Sequence, residues 1–264
     1  MAADPPAVLV ERDSADPAVA LVTMNRPERH NALTVELKVA LRDALVSVAG
    51  DDSVRAVVLT GSGRSFCVGQ DLGEHAVGLA EGAEFTTVEE HYNPIVLAIA
   101  EAPKPVIAAV NGTCVGAGLG FALAADLRVA AAGATFATAF TGIGLTADSG
   151  LSATLAHMVG VARATELLLL GERFTAEDAA AWGLARIAQG EAVDDALQLA
   201  RTLAAGPTTA YAEVKSAVRF GAVNELSAVL ANEGRGQARL ATTADHAGAV
   251  AAFLDKRKPT FEGR

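Results

Sequence analysis

The sequence predicts an α/β protein: a largely parallel sheet built from alternating strands and helices in the first half, followed by a helical second half. Three observations carry this expectation. Short Val/Leu/Ile/Ala runs bounded by Gly, Pro, Asn or Asp recur at residues 18–24, 55–60, 105–110 and 126–131, as buried strands require. Helical patterns separate these runs, and such alternation builds a parallel sheet covered by helices. From Ser149 onward the pattern is almost wholly helical, punctuated by Gly160, Gly171, Gly183 and Gly206.

In chain order, the strand at 18–24 leads towards Thr34, which is placed as a helix N-cap. Behind it Leu37, Leu41 and Leu45 recur at i, i+4 and i+8, with Lys38, Arg42 and Asp43 expected on the other side and an end near Gly50. The strand at 55–60 runs into Gly61-Ser-Gly-Arg-Ser-Phe-Cys-Val-Gly-Gln-Asp-Leu72, where Asp71 is placed to cap the next helix. Residues 105–125 carry no charge and could span a bilayer by length, but Asn111, Thr113 and glycines at 112, 116, 118 and 120 argue for a buried strand, a glycine turn and a buried helix. The strand at 126–131 follows, and residues 222–241 form a long candidate helix. No low-complexity segment, charge block or Pro/Ser-rich linker divides the chain.

Composition narrows the function. Of 264 residues, 51% are hydrophobic but only 5% aromatic, so the core is built from Ala, Val and Leu. Asp and Glu number 31 against 21 Lys and Arg, a formal charge of −10 that repels nucleic-acid phosphate and anionic lipid. No nucleic-acid or membrane partner is therefore expected, although a local pocket can still hold an anion. Cys67 and Cys114 form no CxxC pair, which suits a reducing, cytoplasmic setting. The Met-Ala-Ala-Asp-Pro-Pro start has an acid and two prolines where a secretory signal would have a basic stretch, so no export is expected.

Two glycine-rich segments at strand ends are the candidate ligand sites. Gly61–Leu72 either presents backbone amides to a ligand or is an ordinary strand-to-helix loop. Asn111-Gly-Thr-Cys-Val-Gly-Ala-Gly-Leu-Gly120 opens a helix, whose N-terminus favours an anion or developing oxyanion; close helix packing is the alternative. Its G-x-G-x-G spacing fits a dinucleotide fingerprint poorly, and no G-x-S-x-G nucleophile motif occurs. His30, His75, His91, His157 and His246 are scattered without metal-ligand spacing and read as surface or capping residues; no metal is expected. Asp148 is the one charge between Arg128 and Arg163. In that apolar stretch it reads either as a proton shuttle with a raised pKa or as the cap of the helix that Ser149 opens.

Together these segments resemble the crotonase superfamily, the enoyl-CoA hydratase and isomerase family, over nearly the whole chain. Asn25-Arg-Pro-Glu-Arg-His-Asn-Ala-Leu33 is similar to the family's N-R-P-x-x-x-N-A-L segment. Ser65–Leu72 and Lys104–Gly118 resemble its two oxyanion loops, and Phe253-Leu-Asp-Lys-Arg-Lys-Pro-Thr-Phe261 its C-terminal tail. The resemblance implies a spiral of ββα repeats over residues 1–200 and a helical trimerisation region over 201–264 that also covers CoA. It implies an acyl-CoA substrate, no cofactor beyond that CoA, and a homotrimer or dimer of trimers. It places the amides of Gln70 and Ala117 on the thioester oxygen, with Gly69, Asp71, Leu72 and Gly116 around them. Arg29 and Ala32 fall where the family contacts the CoA nucleotide, and Phe253 and Lys256 where a neighbouring subunit does so.

Hydratases of the family carry two glutamates where this chain has Gly120 and Phe140. Without them, water activation is expected to be weak. The segments Cys67–Leu72, Tyr92-Asn-Pro94 and Phe140–Gly150 are similar to the phenylacetate-pathway branch, which isomerises ring-epoxide phenylacetyl-CoA and enoyl-CoA double bonds with an Asp at the position of Asp148. That branch commonly has I-P-D-x-G, whereas this chain has Thr146-Ala-Asp-Ser-Gly150. Three readings follow: an acyl-CoA isomerase using Asp148, an enoyl-CoA hydratase, or a non-catalytic acyl-CoA binder.

Overall fold

After β1 (Val8–Arg12), β2 (Val19–Met24) and α1 (Val35–Gly50), the chain repeats one unit three times: a long strand, a short strand, then helix. β3 (Ala56–Gly61) and β4 (Ser65–Cys67) precede α2 (Leu72–Ala80) and α3 (Asn93–Ala100). β5 (Val106–Val110) and β6 (Thr113–Val115) precede α4 (Ala117–Ala124), and β7 (Leu127–Ala130) and β8 (Thr135–Ala137) precede α5 (Leu151–Val159). Then come α6 (Val161–Leu170), β9 (Phe174–Thr175), α7 (Ala176–Ala181), β10 (Arg186–Ile187) and α8 (Ala192–Ala204). The chain ends in α9 (Thr208–Gly221), α10 (Leu226–Leu240) and α11 (Ala244–Leu254). This computed structural model describes residues 5–264; the first four residues, on which the reading of the N-terminal segment rests, lie outside the described residues.

The long strands form a six-stranded sheet ordered β1-β2-β3-β5-β7-β10, parallel except for the β1–β2 pair. The short strands form a second sheet ordered β4-β6-β8-β9. Each repeat thus steps one strand along both sheets, which is the spiral. The four strands expected from the sequence appear within a residue of their ends. Periodicity does not show the short strands of this second sheet, which only the ββα resemblance implies, because strands of two or three residues are too short to show alternation.

The inner strands β2, β3 and β5 of the large sheet are buried on both faces, so they read as continuous apolar runs. Val57 and Leu59 of β3 and Val106, Ala108 and Val110 of β5 point into the main core, whereas Ala56, Val58, Ile107 and Ala109 point to the opposite side. There α8 lies against the sheet with Ala192, Ala196, Ala200 and Ala204, one small residue per turn, so the helix approaches closely. α8 runs through residue 200, where the sequence places a boundary; the core extends to Ala204 and the terminal helices begin at Thr208. α9 is held to the core by Lys215 and Arg219 on Asp126, at 2.7 and 3.4 Å. The candidate helix at 222–241 is observed as α10, with a break after α9 at its start. Residues 105–125 form β5, β6 and α4, and no helix among the described residues is long and apolar enough to cross a membrane.

Thr34 caps α1 as expected, its side chain accepting from the Leu37 amide. Lys38 is a correction. It is not on a solvated face but only 1% exposed, because residues 88–92 cover that side of α1 as a single wide π turn.

Asn31 explains the Asn-Ala-Leu segment in physical terms. It is fully buried with φ 56°, and its Nδ2 donates to the carbonyls of Ser62, Ser65 and Phe66 at 3.0, 2.8 and 3.1 Å. Its Oδ1 accepts from the Arg26 amide at 2.9 Å. Together with Asn111, whose Nδ2 donates to the carbonyls of Gly61, Gly63 and Ser65 at 2.7, 3.0 and 3.3 Å, Asn31 fixes the turn between β3 and β4, and with it the loop after Cys67. Asn31→Ala would orphan these groups and place a Cβ residue without amide compensation in left-handed backbone. A loss of about 2–4 kcal/mol is expected in denaturant unfolding; a change below about 0.5 kcal/mol would contradict this account.

Candidate active site

The two glycine segments converge. Gly69 (φ 82°) and Gly116 (φ 58°, ψ −128°) lie against each other, and the Gly116 conformation is one that a side chain would strain. A Cβ on Gly69 would stand 3.2 Å from the Val115 carbonyl oxygen and 3.6 Å from the Ala117 nitrogen. Without side chains at these positions, the two backbones can come this close.

Their amides have defined directions. Leu33 bridges the 69–71 segment, its N–H donating to the Gly69 carbonyl at 2.8 Å and its carbonyl accepting from Asp71 at 3.1 Å. In a trans peptide the N–H opposes the preceding carbonyl, so the Gln70 N–H points away from Leu33. The Gly116 carbonyl accepts from Gly120 inside α4, so the Ala117 N–H points out of the helix N-terminus. That end of α4 carries a partial positive charge.

A cavity of about 250 Å³ opens beside these residues. Val68, Gly69, Gln70, Leu72, Val115, Gly116 and Ala117 line one part, and Thr138, Ala139, Phe140, Ile143, Leu145 and Asp148 another. Tyr92, His75 and Phe85 complete the wall. Asp148 is its one carboxylate among the described residues.

The structure removes one of the two readings of Asp148, that of a helix cap. Ser149 (φ 51°) and Gly150 (φ 75°) both adopt left-handed backbone before α5 begins at Leu151. The Asp148 side chain therefore caps nothing; only its backbone carbonyl accepts from Leu151, at 3.0 Å. Its Oδ1 accepts from the Ser149 hydroxyl at 2.7 Å. Burial pushes its pKa above the usual carboxylate range, with the Ser149 hydrogen bond pulling weakly the other way.

The two positions occupied by glutamate in hydratases also have structural explanations. Phe140 is buried and lines the cavity as an apolar wall. Gly120 does not line it: a Cβ there would run into the Ser149 side chain and lie 2.9 Å from the Ser149 carbonyl oxygen. Ser149 fills the space that a side chain at 120 would need.

Other expected residues do not line the cavity. Asp71 caps α2, accepting from Gly73 and Glu74 at 3.0 and 3.1 Å, and pairs with Arg26 at 3.2 Å. Its pKa falls mainly through the Glu74 amide, against a desolvation penalty, and the carboxylate is fully engaged. Ala32 is buried beside this pair, with its carbonyl accepting from Arg26 at 2.7 Å, whereas Arg29 is exposed on the short helical turn Pro27–Arg29. Phe253, 81% exposed, and Lys256 lie at the end of α11, outside the cavity of their own chain.

Sequence reasoning missed His75, Phe85 and the central place of Tyr92. His75 is not a surface cap: it meets Phe85 edge-on with ring centroids 5.3 Å apart. Its spacing of three from Leu72 on α2 was the available signal. Tyr92 closes the π turn, whose wider period hides it from a helical pattern. No group of three His, Cys, Asp or Glu side chains is gathered for a metal among the described residues. Cys67 and Cys114 are buried neighbours across β4 and β6, and burial pushes the Cys67 thiol up to about 12, which keeps it inert.

The sequence matches the enoyl-CoA hydratase/isomerase family over residues 14–264. The chain belongs to this family, the crotonase superfamily. It is 46% identical over 253 residues to a Rhodobacter capsulatus protein named as an enoyl-CoA hydratase, covering 93% of this chain and 95% of that one. It is 41% identical over 250 residues to the 1,2-epoxyphenylacetyl-CoA isomerase of Escherichia coli, with the same coverage of 93% and 95%. The crystal structure of an enoyl-CoA hydratase/isomerase from Mycobacterium abscessus superposes with a TM-score of 0.92 at 47% identity, covering 98% of this chain and 100% of that chain. The spiral described above is thus the crotonase fold.

In this crotonase the raised pKa of Asp148 has a consequence for stability. The ionised form is disfavoured in the folded state, so the stability linked to this group is full below the unfolded pKa of about 4 and declines as pH rises through the higher folded value. Asp148→Asn should therefore raise Tm at about pH 8, with a gain that shrinks towards about pH 4. A Tm difference that is independent of pH would show that the carboxyl is not desolvated.

Proposed function

We propose that this crotonase isomerises acyl-CoA thioesters through an enolate, with Asp148 moving the proton. The observation that carries this reading is a lone carboxylate, desolvated and uncapped, in a cavity bordered by two outward-directed amides. The amides of Gln70 and Ala117 would hold the thioester oxygen, where preorganised donors supply about 3–4 kcal/mol each. For a 3-enoyl-CoA, the Asp148 carboxylate would take a proton from C2 as the negative charge moves onto that oxygen. The resulting carboxylic acid would return the proton to C4, giving the 2-enoyl-CoA. A raised pKa suits both halves of this exchange, since the base is then nearer in strength to the carbon acid.

The 41% identity to the 1,2-epoxyphenylacetyl-CoA isomerase supports a ring-epoxide acyl group as one substrate of the same site. Hydration is the second reading, favoured by the hydratase name of the 46% identical relative. It needs an oriented water as well as a proton carrier, and Gly120 and Phe140 supply no carboxylate for that.

For assembly, we propose a trimer or a dimer of trimers. Its support is the row of exposed apolar side chains on the terminal helices, including Val214, Val218, Leu226, Leu230, Phe253 and Leu254. In such an assembly Phe253 and Lys256 would reach a neighbour's CoA. Light scattering at micromolar concentration should give a multiple of three, and a monomer would contradict this proposal.

The deciding assay compares isomerisation of a 3-enoyl-CoA with hydration of crotonyl-CoA. The first should be faster, and Asp148→Asn should lower it by about 100-fold or more while calorimetry shows acyl-CoA binding nearly intact. Ala117→Pro, which removes one amide donor, should cost about 100-fold as well. Faster hydration by the wild type, or full isomerase activity in the Asn variant, would overturn the proposal.

A further inference from the structure

The reading above uses the backbone of Gln70 and leaves its side chain, Tyr92 and Lys38 unexplained. The buried ammonium of Lys38 on α1 donates to Gln70 Oε1 at 3.3 Å and to Thr87 Oγ1 at 2.6 Å, and stands 5.3 Å from the centre of the Tyr92 ring. The Tyr92 hydroxyl donates to the same Gln70 oxygen. Thr87 in turn meets His91 Nδ1 at 3.2 Å. Among the described residues, no carboxylate lies within ion-pair distance of Lys38. The acid whose charge it feels, Glu74, is occupied by the Val35 amide at 3.0 and 3.3 Å.

A fully buried cation with only neutral partners and an aromatic face costs more than an apolar side chain of equal length would in the same place. It does, however, join three separate segments at one oxygen: α1, the loop after β4, and the π turn that carries Tyr92. All three meet at the residue whose N–H, on the reading above, holds the thioester oxygen. A charged donor holds an acceptor more tightly than a neutral one, so the Gln70 side chain is fixed from behind while the Leu33 amide holds the Gly69 carbonyl, and the two together set the orientation of the Gln70 peptide.

We propose that Lys38 is a positioning residue for the thioester: acting through the Gln70 side chain, it fixes the Gln70 amide in the direction that polarises the carbonyl. Its positive charge also favours negative charge developing on the cavity side of Gln70. This inference rests on the amide reading of the site, so its test separates the two.

The probe is p-dimethylaminocinnamoyl-CoA, whose absorption band moves to the red as hydrogen bonds polarise its carbonyl. Bound to the wild-type chain it should show that shift; if it does not, the amide reading fails, and this inference with it. With the wild-type shift present, Lys38→Met should lose most of it and lower kcat for a 3-enoyl-CoA by about tenfold or more, with Kd for the probe within about threefold. Its Tm should stay level or rise, because an unpaired buried charge has been removed. Gln70→Leu, which keeps the backbone amide, should produce the same loss, and the double variant should lose no more than either single one. A full red shift in Lys38→Met, a loss confined to Kd and Tm, or additive losses in the double variant would each overturn the inference. Should Lys38→Met fail to fold, the decision passes to Gln70→Leu, and a full shift there overturns it.

Discussion

The constraint on which the rest depends is the contact between Gly69 and Gly116. These residues belong to consecutive repeats of the spiral, each just past a short strand of the second sheet. The repeat brings equivalent points of successive turns one strand spacing apart, about 4.8 Å in a sheet. Only residues without side chains can stay that close once the strands have ended, and Gly116 must also turn sharply to start α4. The main features of the site follow: two backbone segments brought side by side, a helix N-terminus at one of them, and a cavity beside both. Asn31 contributes from the preceding turn by tying down the carbonyls of Ser62, Ser65 and Phe66, so the first of the two loops cannot drift from the second.

Around this backbone frame the protein takes two charges from water, Lys38 wholly and Asp148 in part, with no ion-pair partner for either among the described residues. Asp148 has a hydroxyl, and Lys38 has an amide oxygen and a hydroxyl. Both pKa values are displaced towards the neutral form mainly by burial, upward for the acid and downward for the base. Tyr92 meets both, lying under the ammonium and feeling the negative charge of Asp148, which together with burial keeps its phenol protonated. Buried charges elsewhere are held either by a counter-charge or by backbone: Asp13 holds Arg201 at 2.6 Å and Asp126 holds Lys215, whereas Lys104 donates to the carbonyls of Val48 and Asp51 and Asp245 accepts from the amides of Glu262 and Gly263. Asp148 differs from these in lining the cavity, and a displaced pKa in such a place is a mark of a functional site.

Much of this was legible in the sequence, and the gaps have physical reasons. The long strands, α1 with its Thr34 cap and the Asp71 cap were readable because each is a local rule of periodicity or hydrogen bonding. Gly69, Gln70, Leu72, Gly116, Ala117, Phe140 and Asp148 do meet at one cavity. Asp71 was placed among the binding residues by its position in a motif, but its carboxylate serves the α2 N-terminus and Arg26. Lys38 was assigned to solvent because charge and helical angle are all that a sequence window contains, and the covering π turn lies some fifty positions away in the chain. Phe253 and Lys256, placed among the binding residues by their position in the tail motif, are exposed at the end of α11 and away from the cavity.

The replacement of two acids by one is best understood through Ser149 rather than through the missing residues. Its left-handed backbone, together with that of Gly150, swings the segment so that the Ser149 side chain fills the space above Gly120 and its hydroxyl faces Asp148. A glutamate at 120 would have to displace Ser149, and with it the group that orients the Asp148 carboxylate. The two arrangements therefore exclude each other sterically: a carboxylate reaching in from α4, or a carboxylate presented by the turn before α5. Having the second, the cavity wall holds one carboxylate among the described residues, that of Asp148. Phe140 extends the same logic, since an apolar ring in the wall favours an acyl group over water at that point.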